Sequence, residues 1–288
     1  MLVAGTTGLL WAGLLLALDP WSPLPAQPGP GPAAPGAPAL EVLPTRLVLD
    51  GRKRNAEVSL FNLGGSPQTF RIAFIHMEMD DQGQMRELPL EQELGKVHPQ
   101  DLIRFAPREV TLGPKEWQTV RVQVRKPPDL PTGEYRVNLV FQEVPPPPPA
   151  DLPDEASTKA EHISIQLIPI WGLSIPVIVR QGETSAQVAI VDPVLDPPGQ
   201  TLSFRVTRSG NQSVYGNIKA TFVAASGRRE TVAEADAVAV YTPNAGRTFK
   251  LPLRPSQAPL AKGMLLISFD PPEEEGGSPF AQCQLDLP

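Results

Sequence analysis

The chain has 288 residues, 41% hydrophobic and 19% charged, with a formal net charge of -6, a globular mixture long enough for two ordinary cores. That acidic balance leaves no basic surface for nucleic acid, and the lone Cys283 excludes an internal disulfide. The 36 prolines are about an eighth of the chain, against a usual one in twenty, which disfavours helices and favours strands, turns and linkers.

Taken in chain order, Gly8 to Leu18 (GLLWAGLLLAL) is an unbroken apolar run. It is too short to cross a bilayer and suits the apolar region of a secretory signal. Leu24 and Ala26 flank Pro25 in an imperfect small-residue cleavage pattern, and no Lys or Arg precedes Arg46. Residues 1–26 are read as a signal peptide and residues 27–39 as a Pro/Gly/Ala-rich linker, with no membrane insertion after cleavage.

Beyond Leu40 the chain reads as short strands: LEVLPTRLVLD, AEVSLFNLG, QTFRIAFIHMEM, REVTLGP, WQTVRVQVR and GEYRVNLVFQEV. Asp50-Gly51, Gly64 to Pro67, Asp80 to Gly83, Gly113-Pro114 and Pro131 to Gly133 separate them with turn chemistry. A further strand begins at His162, after a proline-rich, acidic stretch from Pro145 to Glu161, and Ile163, Ile165 and Leu167 alternate along it with polar residues. About seven such strands predict an antiparallel sandwich of immunoglobulin type over residues 40–181. A second series (SAQVAIVDPVL, QTLSFRVTRSG, YGNIKATFVAA, TFKLPLRP, KGMLLISFDPP, QCQLDLP) predicts another sandwich over residues 182–288. The predicted fold class is all-β: two immunoglobulin-like sandwiches joined by a short hinge near Arg180 to Glu183.

Nothing in the sequence carries catalysis. There is no GxSxG, phosphate-binding loop, GxGxxG or HExxH, and His76, His98 and His162 lie far apart without ligand spacing. No enzyme activity, cofactor or metal is expected. Asp80-Asp81 and Glu273 to Glu275 read as solvated turn acids. Asn211-Gln212-Ser213 has the form of a glycosylation sequon only.

Five blocks in order, PTRLVLDG, AEVSLFNLGGSPQTFRI, FAPREVTLGPKEWQTVRV, TGEYRVNLVFQEVPP and the strand ending SIPVIVR, resemble the PapD-like periplasmic chaperones of the chaperone/usher pilus pathway. Over the second half of the chain the likeness is one of size and β character. The resemblance implies a chaperone that binds incomplete immunoglobulin-like pilus or fimbrial subunits, lends them a strand and delivers them to an outer-membrane usher without ATP. Strand lending joins main chains by hydrogen bonds while alternate side chains fill the partner's groove.

The donor row would be Ile163, Ile165 and Leu167, extended by Pro169 and Trp171; the alternative is that this face packs inside the chain's own sandwich. Arg46 occupies the place of the family's cleft arginine, which holds the subunit's terminal carboxylate; otherwise it is a solvated strand arginine. The family's second carboxylate ligand, a lysine, has no counterpart, because its register falls on Ser174 to Pro176. Arg180 matches an arginine that the family places in an ion pair at the domain junction. A competing reading is a structural or adhesive envelope protein using the same sandwiches as a scaffold. A secreted glycan- or peptide-binding sandwich is disfavoured by the 6% aromatic content.

Overall fold

The computed structural model describes residues 40–90, 97–145, 170–255, 260 and 262–288. Its elements are strands throughout, with one 3-10 turn at Pro99–Leu102 among the described residues. The expected signal segment and linker, and Ile163, Ile165, Leu167 and Pro169 of the expected donor row, lie outside the described residues.

In the first half the strands are β1 (Leu40–Leu43), β2 (Leu47–Leu49), β3 (Asn55–Asn62), β4 (Gln68–Met79), β5 (Met85–Leu88), β6 (Ile103–Ala106), β7 (Glu109–Leu112), β8 (Trp117–Val124), β9 (Gly133–Val144) and β10 (Gly172–Gln181). They form one sheet in the order β1-β3-β8-β6 and a second in the order β2-β10-β9-β4-β5, with β7 also pairing β4. Alternation dictates the packing, since successive side chains point to opposite faces. Val58 and Leu60, Val120 and Val122, Val137, Leu139 and Phe141, and Ile175, Val177 and Val179 meet between the sheets.

The stretch LEVLPTRLVLD, expected as one strand, divides instead: β1 pairs antiparallel with β3, and β2 pairs parallel with β10 in the other sheet. Pro44 has no N–H to continue the first ladder, so the chain crosses between sheets there and leaves Arg46 at the crossing. Asn62, fully buried, closes the turn after β3: its Nδ2 donates to the carbonyls of Ser66, Leu112 and Gly113, and its Oδ1 accepts from Gly64 N.

The second half holds β11 (Ala186–Asp196), β12 (Thr201–Gly210), β13 (Val214–Ala224), β14 (Arg229–Val240), β15 (Gly246–Pro252), β16 (Gly263–Asp270) and β17 (Ala281–Leu287). Their sheets run β11-β12-β15 and β14-β13-β16-β17. Between them Leu202, Phe204, Val206, Ile218, Phe222, Ile267 and Phe269 are sealed from water, and Phe204 stacks on Phe249 with ring centroids 5.5 Å apart. Both expected sandwiches are therefore present.

The two sandwiches meet over an apolar seam. Met79, Ile178, Ala239 and Tyr241 are buried together, with Val48 and Tyr215 packed against them. The turn at Asp80 to Gly83 docks on the second sandwich, where Thr248 N donates to Asp81 O at 2.8 Å and Arg205 lies 3.6 Å from the Asp81 carboxylate. Asp81 is thus an interface acid, whereas Asp80 caps its own turn by accepting from Gln82 N and Gln84 N.

Candidate functional site

Two features converge on β10. The first is its edge. β9 pairs with β10 along its whole length, but on the other side β2 reaches only Val177, Ile178 and Val179. From Gly172 to Pro176 no strand among the described residues takes the outer edge, so N–H and C=O groups there face outward, as on any unpaired sheet edge. Trp171, just upstream, is 42% exposed, and its carbonyl accepts from Glu143 N at 2.9 Å.

Parity explains what happens along this strand. Leu173, Ile175, Val177 and Val179 point into the first core, and Trp171 shares their odd register. The odd-numbered row thus feeds the chain's own core both along the open edge, through Leu173 and Ile175, and beyond it.

The second feature is a cavity of about 320 Å³ at the crossing, where Arg46, Lys53 and Arg180 face Ser213, Tyr215 and Glu275. Arg46 is no solvated strand residue. Its side chain is 13% exposed, its guanidinium lies 4.1 Å from the centroid of the Tyr215 ring, and its Nη2 donates to Glu275 Oε1 at 3.1 Å. Planar stacking on an aromatic face leaves the in-plane N–H groups free for a carboxylate, and here a carboxylate of the chain's own occupies one of them. Glu275, expected as a solvated turn acid, is 58% exposed and is also the ion-pair partner of Arg46.

Arg180 gains a partner that the sequence left unnamed. Its Nε donates to Glu134 Oε2 at 3.0 Å, and the two stand opposite each other on β10 and β9. The pair itself is cross-strand, yet it reaches the second sandwich: the fully buried Glu134 carboxylate also accepts from Ser213 N, Ser213 Oγ and Thr242 Oγ1. Arg208 orders the loop that presents Ser213, donating to the carbonyls of Gly210, Gln212 and Asn244. A buried carboxylate with this many donors is one whose desolvation is offset.

The structure therefore brings Arg46 and Arg180 to one cavity and adds Lys53, Tyr215 and Glu275, with Glu134 behind Arg180 as its ion-pair partner. Lys53 could have been found, since it lies two residues past the PTRLVLDG block, in the turn after Gly51. Tyr215 and Glu275 carry no local signal, because they arrive from the other sandwich. Ser174 and Pro176, at the register of the missing lysine, are half-buried and uncharged.

No family model matches the chain, and no curated protein sequence matches it. Solved structures do. The chain is similar to the CupB2 chaperone of Pseudomonas aeruginosa, at 14% identity and a TM-score of 0.43 over 86% of this chain and 100% of that one. It is similar to a chain of the Salmonella enterica SafA pilin–SafB chaperone complex, at 15% identity and a TM-score of 0.41 over 88% and 99%. A chain of the CsuC–CsuE chaperone–tip subunit complex from the archaic chaperone-usher Csu pili of Acinetobacter baumannii aligns at 14% identity and a TM-score of 0.40 over 86% and 97%.

Among the described residues no helix is long and apolar enough to cross a membrane.

Proposed function

We propose that this chain is a periplasmic assembly chaperone of the PapD-like type, which holds pilus or fimbrial subunits by strand donation and yields them at an outer-membrane usher without ATP. The observation that carries the reading is the half-open edge of β10: β2 covers Val177 to Val179 and leaves Gly172 to Pro176 without a neighbour among the described residues. An incomplete sandwich can add itself to that edge through main-chain hydrogen bonds, with Ile163, Ile165 and Leu167, extended by Pro169 and Trp171, filling its groove. Each apolar side chain so transferred contributes roughly 1.5 to 3 kcal/mol, before the ordering costs of association.

Arg46 receives the subunit's terminal carboxylate, and Lys53, lining the same cavity, supplies the second cation that the Ser174 to Pro176 register lacks. Glu275 holds Arg46 until the client displaces it; at 58% exposure it is free to swing into water. Arg180, with Glu134, holds the two sandwiches at the angle that frames the cleft.

The test is capture of secreted β-subunits from periplasm by the parent chain and by Ile165→Asp and Leu167→Asp. Loss of capture in both variants supports donation, and undiminished capture ends it. Absence of neighbouring genes for an usher and small secreted β-subunits would favour the scaffold reading instead.

A further inference from the structure

The first sandwich meets the second through the end of one sheet, so the order β2-β10-β9-β4 lays the joint out as a line. Arg46, just before β2, meets Tyr215 and Glu275. Ile178 of β10 enters the apolar seam, and Glu134 of β9 meets Ser213 and Thr242. β4 comes last, with Met79 against Asn244 and Asp81 against Thr248 and Arg205. The two ends of the line stand three strand spacings apart, about 14 Å.

The two ends are gripped differently. At the Arg46 end the contacts run from side chain to side chain, and the acid that closes them is 58% exposed. An ion pair so open to water holds little. At the β4 end the main chain itself is held. The β4–β9 ladder stops at Ile75 and Asn138, and β4 runs on with β5 as a two-stranded arm. Two carbonyls of that arm accept from the second sandwich, Met79 O from Asn244 Nδ2 at 2.6 Å and Asp81 O from Thr248 N at 2.8 Å.

The tip of the arm is also seated. Gly83, with a φ of 83°, lies so close to Arg247 Nε that a β-carbon would have no room. Arg247 is fixed in its turn, donating from Nη1 to Ala239 O at 3.1 Å and lying 4.6 Å from the centroid of the Phe249 ring. Between the two ends the fully buried Glu134 and the seam of Met79, Ile178, Ala239 and Tyr241 keep water out.

We infer that the joint is a one-sided hinge: the β4–β5 arm is its pivot, and the sandwiches gape at the Arg46–Glu275 side. Letting go of one exposed glutamate frees that side, whereas freeing the other breaks main-chain hydrogen bonds and unseats Gly83 from Arg247. Rotation about the arm widens the 320 Å³ cavity at Arg46 and leaves the Asp81 contacts in place, a hinge motion absorbed by few residues. This is a motion of the chain alone and stands whatever the fate of the strand-donation reading.

The experiment is pulsed electron spin resonance on the full chain carrying Cys283→Ser, with spin labels on cysteines introduced in pairs at exposed positions. Arg52→Cys with Glu273→Cys reports the Arg46 side, and Gln84→Cys with Lys250→Cys reports the arm. Adding Glu275→Ala is expected to broaden the Arg52–Glu273 distance distribution at least twofold and shift it to longer values, with the Gln84–Lys250 distribution unchanged. Gly83→Ala is expected to broaden the Gln84–Lys250 distribution at least twofold. Asn244→Ala, which removes one hydrogen bond and adds no strain to the turn, serves the same purpose if Gly83→Ala fails to fold. The inference is overturned if Glu275→Ala moves both pairs alike or moves neither, or if the Gln84–Lys250 distribution is unaltered by both arm variants.

Discussion

Arg46 and Glu275, 229 positions apart in the chain, form an ion pair of 3.1 Å between Nη2 and Oε1. The arginine is held from behind by Tyr215, while the glutamate is mostly in water, so the two ends of this contact differ in how easily they let go. A half-exposed pair contributes no more than about 1 kcal/mol. Glu275→Gln should therefore leave the urea unfolding midpoint almost unchanged while raising capture of clients that end in a free carboxylate. Arg46→Ala should lower the midpoint more, because it also strips the cover from Tyr215, and should weaken capture. Equal capture by parent and Glu275→Gln would show that the glutamate does not compete.

Glu134 makes a different prediction, since its carboxylate is fully buried and serves both sandwiches. Glu134→Gln removes the charge that balances Arg180, and breaking a buried pair from one side costs about 3 to 5 kcal/mol. Urea denaturation of Glu134→Gln should show a loss of that order. Ser213→Ala, which removes one donor and leaves the ion pair, should lose about 1 to 3 kcal/mol. A Glu134→Gln loss as small as a surface substitution would mean that the cluster contributes little to the joint.

Substitutions in β10 and in the sequence upstream of it should differ in effect. Ile175 is buried in the first core, so Ile175→Ala should cost about 2 to 5 kcal/mol of stability, measured by chemical denaturation. Ile165→Asp and Leu167→Asp should instead leave stability near the parent value and abolish client capture. If the upstream substitutions unfold the chain as readily as Ile175→Ala destabilises it, the upstream row packs inside the chain's own sandwich.

His76 should make stability fall in mild acid. Its folded-state pKa lies below 6.5, first through desolvation and then through the nearby His98 and Arg136 charges, with the Gln100 side chain opposing. The unfolded chain therefore takes up a proton first as pH falls through 6.5, so folding loses stability below that pH and levels off once pH passes the lower folded value. His76→Gln should flatten the dependence of the unfolding midpoint between about pH 7 and about pH 5. An unchanged slope in the variant would place the titration elsewhere.

Most strands were legible because valine, isoleucine and phenylalanine alternate with polar residues, as in β3, β8, β12 and β16. β4 and β9 have the bounds their sequence suggests, Gln68–Met79 and Gly133–Val144. β14 was not legible. Its RETVAEADAVAV is rich in alanine and acids, which favour strands weakly, and it is a strand because β13 offers it a ladder. β6, four residues after a 3-10 turn, was likewise too short to separate from its surroundings. At the site, Arg46 and Arg180 were found from the resemblance of their blocks, whereas Glu134, Tyr215 and Glu275 were not.

The sequence alone determined that this chain is built of strands in two cores, because a period of two and the side chains that satisfy it are local properties. It also determined that no motif for catalysis is present. The tertiary structure alone decided that Arg46 already holds a carboxylate, that Glu134 links the two sandwiches, and that β4 and β9 part where Arg136 donates to Met77 O and stacks on Tyr241. Those relations depend on sheet order, on where a ladder stops and on how two sandwiches meet, and each joins residues too distant in the chain for any local pattern to record.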